Sequence, residues 1–185
     1  MEEVARSRGG GRRVSGAKRV VLTGSESTGK STLAGELARH YRAPLVPEFV
    51  RGFAEARGGV IEFADHGPIA KGQIALEDDY IARGGALIVQ DTDLLSTVVY
   101  CRHYFGQCPE WIEAAAAARR PDLYLLCEID APWVADGVRD RGDRREEMQS
   151  LFRDAVRASG ARIVELHGGL PDRLRAAVAA IDGLA

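Results

Sequence analysis

A nine-residue segment has the residue types and the spacing that are needed to hold a chain of phosphates. Residues 24–32 fit the pattern G-x-x-x-x-G-K-[ST], between an apolar strand-like run and a helical pattern. Glycines at both ends allow backbone angles that turn successive N–H groups toward one anion. The lysine then supplies a cation for the β and γ phosphates, and the next hydroxyl a ligand for Mg²⁺. We therefore predict a nucleoside triphosphate site formed by Gly24, Ser25, Glu26, Ser27, Thr28, Gly29, Lys30, Ser31 and Thr32.

Two carboxylates, Asp91 and Asp93, follow the apolar run 86–90. Proteins with a phosphate-binding loop keep an acidic residue at this place for the Mg²⁺ shell, so we predict that Ser31 and Asp91 support the metal. Asp93 has two interpretations, because its residue type also suits the N-cap of a helix that begins at Leu94. The two roles are compatible, and we expect Asp93 to contact the substrate.

Glu48 lies just beyond the second strand-like run, 43–47, and Arg51 lies one helical turn later. A carboxylate at this edge could accept the proton of a hydroxyl that attacks the γ-phosphate. The alternative is an exposed ion pair between Glu48 and Arg51 at a helix start, worth only about 0.2–0.5 kcal/mol. Spacing alone leaves these two interpretations open.

An arginine-rich segment separates the fourth strand-like run from the next helix. Residues 133–145 contain Arg139, Arg141, Arg144 and Arg145, interleaved with glycines and aspartates. Alternating charges of this kind often form a solvated loop. Phosphoryl transfer, however, needs cations around the transferred group and a lid that excludes water. Beside a phosphate-binding loop, we favour an arginine-bearing lid.

Five apolar strand-like runs alternate with helical patterns along the chain. The strands are predicted at 19–23, 43–47, 86–90, 122–129 and 162–166, and the helices at 30–41, 48–57, 68–83, 94–105, 109–118, 146–159 and 171–181. Strands that are apolar throughout indicate a parallel sheet covered on both faces, with ligands at the carboxyl ends of the strands. The prediction is an α/β, three-layer P-loop NTPase fold with a five-stranded, mainly parallel sheet and a helical lid.

Composition limits the class of protein. The chain has 185 residues and a net charge of −2, and no apolar run approaches the roughly 20 residues that cross a bilayer. We expect one domain over residues 18–185, in the cytoplasm, with neither a membrane nor nucleic acid as its partner. Cys101, Cys108 and Cys127 fit no disulfide framework. Residues 1–17, rich in arginine and glycine, could bind nucleic acid or lipid, but they lack aromatic residues to stack on bases, so we favour a disordered arm.

Several motifs occur in a characteristic order. They are segment 24–32, Pro47-Glu48-Phe49-Val50-Arg51, Ile69-Ala70-Lys71-Gly72-Gln73, Asp91-Thr92-Asp93 and Pro132-Trp133-Val134-Ala135-Asp136-Gly137-Val138-Arg139. Together they resemble the ribosylnicotinamide kinase domain of bifunctional NMN adenylyltransferase/ribosylnicotinamide kinase proteins, a P-loop, AAA-like ATPase/kinase. The resemblance covers about residues 18–182. It implies transfer of the ATP γ-phosphate to the 5′-hydroxyl of nicotinamide riboside.

The resemblance also implies roles for individual residues. The implied catalytic residues are Lys30, Glu48, Asp93 and Arg139, with ATP and Mg²⁺ as cofactors and a small-molecule nucleoside as acceptor. Pro47 and Leu76 stand where family members often carry the aromatics that hold the nicotinamide ring. The acceptor therefore stays open between nicotinamide riboside and another nucleoside or metabolite. A module that senses nucleotides without catalysis is a further alternative. No Asn/Thr-Lys-x-Asp motif for guanine occurs, which favours ATP.

Overall fold

A computed structural model describes residues 16–130 and 144–184. The strands are β1 (Lys18–Thr23), β2 (Leu45–Val46), β3 (Leu87–Asp91), β4 (Leu123–Cys127) and β5 (Arg162–Leu166). The helices are α1 (Lys30–Tyr41), α2 (Phe49–Ala56), α3 (His66–Ala82), α4 (Leu94–Phe105), α5 (Glu110–Ala118), α6 (Arg145–Ala158) and α7 (Leu170–Asp182). A short 3₁₀ turn, Phe63–Asp65, precedes α3. None of these described helices combines the length and the apolar composition that a bilayer crossing requires.

The five strands form one parallel sheet in the order β2-β3-β1-β4-β5. β1 is the central strand, and Leu22 pairs with Asp91 of β3 on one side and with Leu125 of β4 on the other. The carboxyl ends of these strands therefore lie at one edge of the sheet, where ligands bind in open α/β folds. The predicted α/β sheet architecture is confirmed, and the sheet is parallel throughout.

Alternate residues of β1 face opposite helical layers. Val20 and Leu22 pack with α1 and α7, whereas Val21 packs with α4 and α6. A third apolar cluster joins α3, α4 and α5 around Leu94 and Ile112. Because both faces of the sheet are covered, its central strands are apolar in sequence without alternation. The three cysteines are free thiols, as predicted.

The boundaries of the elements differ from the prediction mainly near prolines. β2 has only two residues, since neither Pro44 nor Pro47 can donate a main-chain hydrogen bond. The carbonyl oxygen of Pro44 still accepts one from the Val89 N–H at 3.1 Å. α3 begins at His66 rather than at Pro68, because a reciprocal capping box closes the preceding 3₁₀ turn and leads directly into the helix.

Two predicted segments fall wholly or mostly outside the described residues. They are the N-terminal arm, of which residues 1–15 are not described, and the lid, of which residues 131–143 are not described. Arg139 and Arg141 belong to the second gap. Arg145 is described and begins α6.

Candidate active site

The loop between β1 and α1 has the backbone conformation that its glycines predict. Gly24 and Gly29 have φ values of 127° and 80°, in the region that side chains disfavour. A Cβ at Gly24 would also lie 2.7 Å from the carbonyl oxygen of Cys127, so no larger residue fits there. α1 begins at Lys30, and the N–H groups of its first turn have no acceptor within the helix. Such a helix start can bind an anion.

The ammonium group of Lys30 is held across this loop. Its Nζ donates to the carbonyl oxygens of Gly24 at 3.0 Å and Ser25 at 2.6 Å, and the side chain is buried. The Thr28 hydroxyl donates to the same Ser25 oxygen at 3.0 Å. The place predicted for the phosphates therefore combines a cation with main-chain N–H donors.

Asp91, the last residue of β3, is hydrogen-bonded to Ser31 of the loop. Burial raises the pKa of Asp91, and the hydrogen bond with Ser31 opposes this shift. The Oδ1 atom of Asp91 is buried and has no hydrogen-bond partner in the structure. A cation would stabilise such an oxygen, and Mg²⁺ takes oxygen ligands, so the two residues fit the predicted metal site. Within the described ranges, no three Asp, Glu, His or Cys side chains cluster as a metal site, so phosphates and waters would complete the shell.

Asp93 is the N-cap of α4. Its Oδ1 accepts a hydrogen bond from the Leu95 N–H at 3.0 Å, and its Oδ2 accepts one from the Tyr124 hydroxyl at 2.6 Å. Burial raises the pKa of Asp93 to about 6. The predicted cap is confirmed. Contact with a substrate stays a prediction, for which the position of Asp93 in a cavity wall is favourable.

A cavity of about 390 Å³ lies beside Asp93 and is also lined by Glu48. The side chain of Glu48 is 7% exposed, whereas that of Arg51, at 3.6 Å, is 45% exposed. The Glu48 carboxylate is therefore largely buried in the cavity wall, and it also forms the i,i+3 ion pair with Arg51 that the sequence offered as the alternative. The volume is typical of a site for a small molecule.

Aromatic side chains line the part of the cavity that α4 provides. Tyr104 lies about 16 Å along α4 from Asp93, at about 1.5 Å per residue. It stacks on Tyr100, with ring centroids 6.2 Å apart and planes at 6°, and Phe105 lies beside it in the wall. Pro47 and Leu76, the positions considered from the sequence, are not among the described residues that line the cavity. The aromatic surface comes from a different helix.

His66, at the start of α3, closes the same part of the cavity. Its ring meets that of Phe105 edge-on at 5.2 Å. The Nδ1 atom lies 3.1 Å from the Glu62 carbonyl oxygen and 3.3 Å from the Phe63 carbonyl oxygen. Because both partners only accept, Nδ1 carries the hydrogen, and in the neutral ring Nε2 is left as an acceptor.

The sequence model of the AAA domain family matches residues 19–173, most of the chain. The chain belongs to the AAA domain family.

Two curated relatives of this AAA domain are called trifunctional NAD biosynthesis/regulator protein NadR. One is from Escherichia coli (strain K12) and the other from Salmonella typhimurium (strain LT2). Each is 29% identical over 153 residues, which is 80% of this chain and 37% of the relative. The chain thus spans little more than a third of the length of these relatives.

Solved structures give the same neighbours. A crystal structure of NadR protein in complex with NR matches the AAA domain with a TM-score of 0.77 and 26% identity, over 91% of this chain and 50% of that one. A NadR complex with NAD and AMP-PNP matches with the same TM-score and identity, over 91% and 49%. Thymidylate kinase from Ehrlichia chaffeensis, with a TM-score of 0.65 and 14% identity over 92% of this chain and all of its own, shares the fold. These matches confirm the family resemblance that the motifs indicate.

Sequence reasoning missed an arginine that braces the loop of the AAA domain. Arg173 of α7 is buried, and its guanidinium donates to the main-chain oxygens of Thr28, Glu128 (2.7 Å) and Gly168 (2.9 Å). It also pairs with the carboxylate of Asp130. In the sequence, Arg173 is one of two arginines in an amphipathic helix, and no local signal distinguishes it.

Gln149 of α6 is a second missed brace. Its Oε1 accepts a hydrogen bond from the Ser25 N–H at 2.9 Å, and its Nε2 donates to the Cys127 carbonyl oxygen at 3.1 Å. One amide therefore joins the phosphate-binding loop to the end of β4. A buried glutamine inside a helical pattern could have suggested such a role, but not its partners.

Arg145 is the described member of the predicted lid arginines that reaches the loop. Its guanidinium donates to the Ser27 carbonyl oxygen at 2.9 Å. Burial lowers the pKa of Arg145, and the cation of Arg173 adds to the effect. Two arginines from different helices thus lie against consecutive loop carbonyls, at Ser27 and Thr28.

Proposed function

We propose that this AAA domain is an ATP- and Mg²⁺-dependent kinase that phosphorylates the 5′-hydroxyl of a nucleoside, with nicotinamide riboside as the favoured acceptor. The observation that carries the proposal is the junction of the loop and the cavity. Asp91 is hydrogen-bonded to the loop at Ser31, and Asp93, two residues later, lines the cavity. A phosphate donor and a small acceptor can therefore meet at one edge of the sheet.

On the donor side, the phosphate-binding loop holds the triphosphate. The Lys30 ammonium and the first-turn N–H groups of α1 stabilise the charge that develops on the transferred group. Ser31 and Asp91 hold Mg²⁺, which when bound neutralises part of the phosphate charge. Arg145, which lies against the loop at Ser27, adds positive charge at the same place. Arg139 stays the lid arginine that the sequence predicts, outside the described residues.

On the acceptor side, Glu48 is the base. The acceptor hydroxyl oxygen bonds to the γ-phosphorus as the bond from that phosphorus to the β–γ bridging oxygen breaks. The hydroxyl proton passes to Glu48, and ADP leaves. Asp93, fixed by its two hydrogen bonds, offers its remaining lone pairs to the acceptor hydroxyls.

The choice of ligands is supported by the comparisons and by the cavity. NadR has been crystallised with NR, which we take as nicotinamide riboside, and with AMP-PNP, an analogue of ATP. In this chain Tyr104 and Phe105 offer aromatic surface on which a base can stack. We assign the catalytic domain to residues 18–185. This range contains every described strand and helix, from β1, which begins at Lys18, to α7, which ends at Asp182.

The test is a transfer assay with an acceptor panel. The purified protein is incubated with Mg²⁺, ATP and nucleosides that include nicotinamide riboside, and products are identified by mass. We expect one phosphate on nicotinamide riboside, and we expect Glu48→Gln to bind ATP without transferring phosphate. Transfer only to another nucleoside would replace the acceptor. ATP binding without any transfer would favour a nucleotide-sensing module, a role in keeping with the regulator in the relatives' name.

A further inference from the structure

A buried charged cluster joins Glu77 of α3 to Arg19 of β1 and to Arg119 at the end of α5. The side chain of Glu77 is 1% exposed and accepts from Arg119 Nε at 2.9 Å, with a guanidinium nitrogen of Arg19 at 3.5 Å. A second guanidinium nitrogen of Arg19 donates to the Arg119 carbonyl oxygen at 2.8 Å. Buried ions stabilise a fold little more than apolar residues would, so stability alone does not account for this cluster.

The cluster is connected to the cavity by Gln73. Its Nε2 donates to Glu77 Oε1 at 3.2 Å. Because the carboxylate can only accept, the amide NH₂ of Gln73 must point toward Glu77, and its Oε1 must point the other way. That oxygen accepts a hydrogen bond from the Phe49 N–H at 3.1 Å, one residue after Glu48.

Phe49 is also fixed by its ring. A Cβ on Gly72 would lie 2.1 Å from Cζ of Phe49, so the ring occupies the space that a side chain at position 72 would fill. The main chain and the ring of the first residue of α2 are therefore both held by adjacent residues of α3.

The hydrogen bond from the Phe49 N–H to Gln73 supplies a cap for α2 that the side chain of the N-cap residue Glu48 does not provide. Glu48 is the N-cap residue of α2, but its side chain makes no capping hydrogen bond. The first N–H groups of a helix need acceptors from outside it, and Gln73 supplies one to Phe49. The Glu48 carboxylate is thus not used to cap its own helix and lies in the cavity wall.

We propose that Gln73 is a positioning residue that Glu77 orients, and that it sets the place of the Glu48 carboxylate by capping α2. The inference rests on the proposed function, in which Glu48 is the base. In this arrangement Glu77, Arg19 and Arg119 act on the reaction through the side-chain amide of Gln73.

The test compares three variants with a matched control. Gln73→Glu brings two carboxylates together. Glu77→Gln leaves one accepting oxygen at position 77, so its NH₂ must face either the Gln73 NH₂ or the two arginines, which are all donors. The double exchange Gln73→Glu/Glu77→Gln restores one acceptor for the Phe49 N–H and one donor between positions 73 and 77. Asp78→Asn is the control, because Asp78 pairs with the same Arg119 at 2.6 Å but does not contact Gln73.

Two readouts separate positioning from folding. We expect each single variant to lower kcat about 10- to 100-fold with little change in the KM for ATP, as displacement of a catalytic group does. Amide hydrogen exchange at Phe49 should accelerate in both single variants and slow again in the double exchange, while the control leaves both readouts unchanged. Unchanged exchange, or accelerated exchange with an unchanged kcat, would overturn the proposal. If the wild-type protein phosphorylates no nucleoside, the proposed function fails, and the exchange rate alone still decides whether Gln73 holds Phe49.

Discussion

The hydroxyl of Tyr124 donates a 2.6 Å hydrogen bond to Oδ2 of Asp93. It joins β4 to the start of α4, because the other oxygen of Asp93 caps that helix at the Leu95 N–H. α4 then carries the tyrosines of the cavity wall. One buried carboxylate therefore fixes the origin of the helix that shapes the acceptor cavity, whether or not it touches the acceptor.

Tyr124→Phe should lower the free energy of unfolding by about 1–3 kcal/mol, since it leaves Oδ2 of buried Asp93 without a donor. Urea unfolding followed by tryptophan fluorescence measures this loss. Tyr41→Phe is the control, because Tyr41 donates to the exposed carboxylate of Asp182 at 2.7 Å, which water can solvate. Equal losses in the two variants would show that burial of Asp93 does not matter.

Lys30→Met should weaken binding of Mg²⁺-ATP about 10- to 150-fold, the equivalent of about 1.5–3 kcal/mol for a hydrogen bond to a charged group. Calorimetric titration gives the affinity, and circular dichroism checks the fold. Lys71→Met removes an exposed lysine from α3 and should leave the affinity unchanged. Tight ATP binding by Lys30→Met would contradict the assignment of the triphosphate to this loop.

Arg173→Lys should destabilise the protein by about 1–3 kcal/mol and also weaken ATP binding. Lysine keeps the charge but cannot reach the carbonyls of Thr28, Glu128 and Gly168 together, as the planar guanidinium does. Unfolding in urea and ATP titration are the measurements. Arg175→Lys, on the same helix but 75% exposed, should change neither, so similar effects at both positions would contradict the bracing role.

Asp130→Asn should change how stability depends on pH in acid. Burial alone would raise the pKa of Asp130, but hydrogen bonds from the Gly168 N–H and Arg173 hold that pKa below its ordinary value of 3.8. A lowered pKa stabilises the folded state above the ordinary value, and this contribution is lost as the pH falls through the folded value. The difference in unfolding free energy from wild type should be constant above about pH 5 and shrink below pH 3.8. A difference that persists in strong acid would assign the effect to packing.

Tyr104→Ala should raise the KM for nicotinamide riboside about tenfold, because stacking on a base is worth about 1–3 kcal/mol. The KM for ATP should not change, since Tyr104 lies in the acceptor cavity. Tyr80→Ala is the matched control, because it removes a tyrosine at the C-terminal end of α3 that does not line the cavity. An unchanged KM for nicotinamide riboside in Tyr104→Ala would show that the nicotinamide ring does not stack on Tyr104.

The sequence by itself determined the features whose partners are close along the chain. The phosphate-binding loop is a contiguous pattern, and the φ values of Gly24 and Gly29 and the helix start at Lys30 follow from local backbone chemistry. The cap at Asp93 is equally local. Runs of apolar residues with helices between them indicated the parallel sheet, because a strand covered on both faces is mostly apolar without alternation.

Only the tertiary structure decided which distant side chains complete the site. Arg173 donates to Thr28, 145 residues earlier in the chain, and Gln149 accepts from Ser25, 124 residues earlier. Both residues lie in helices whose sequence pattern indicates which face is buried but not which residues that face contacts. For Glu48 the sequence left open whether the carboxylate is buried, and the structure shows its side chain 7% exposed while it pairs with Arg51. The aromatic residues of the cavity wall lie on α4 rather than at positions 47 and 76, which the sequence alone could not indicate. Hydrogen bonds and contacts across the fold depend on how the helices pack on the sheet, and local periodicity holds no information about those partners.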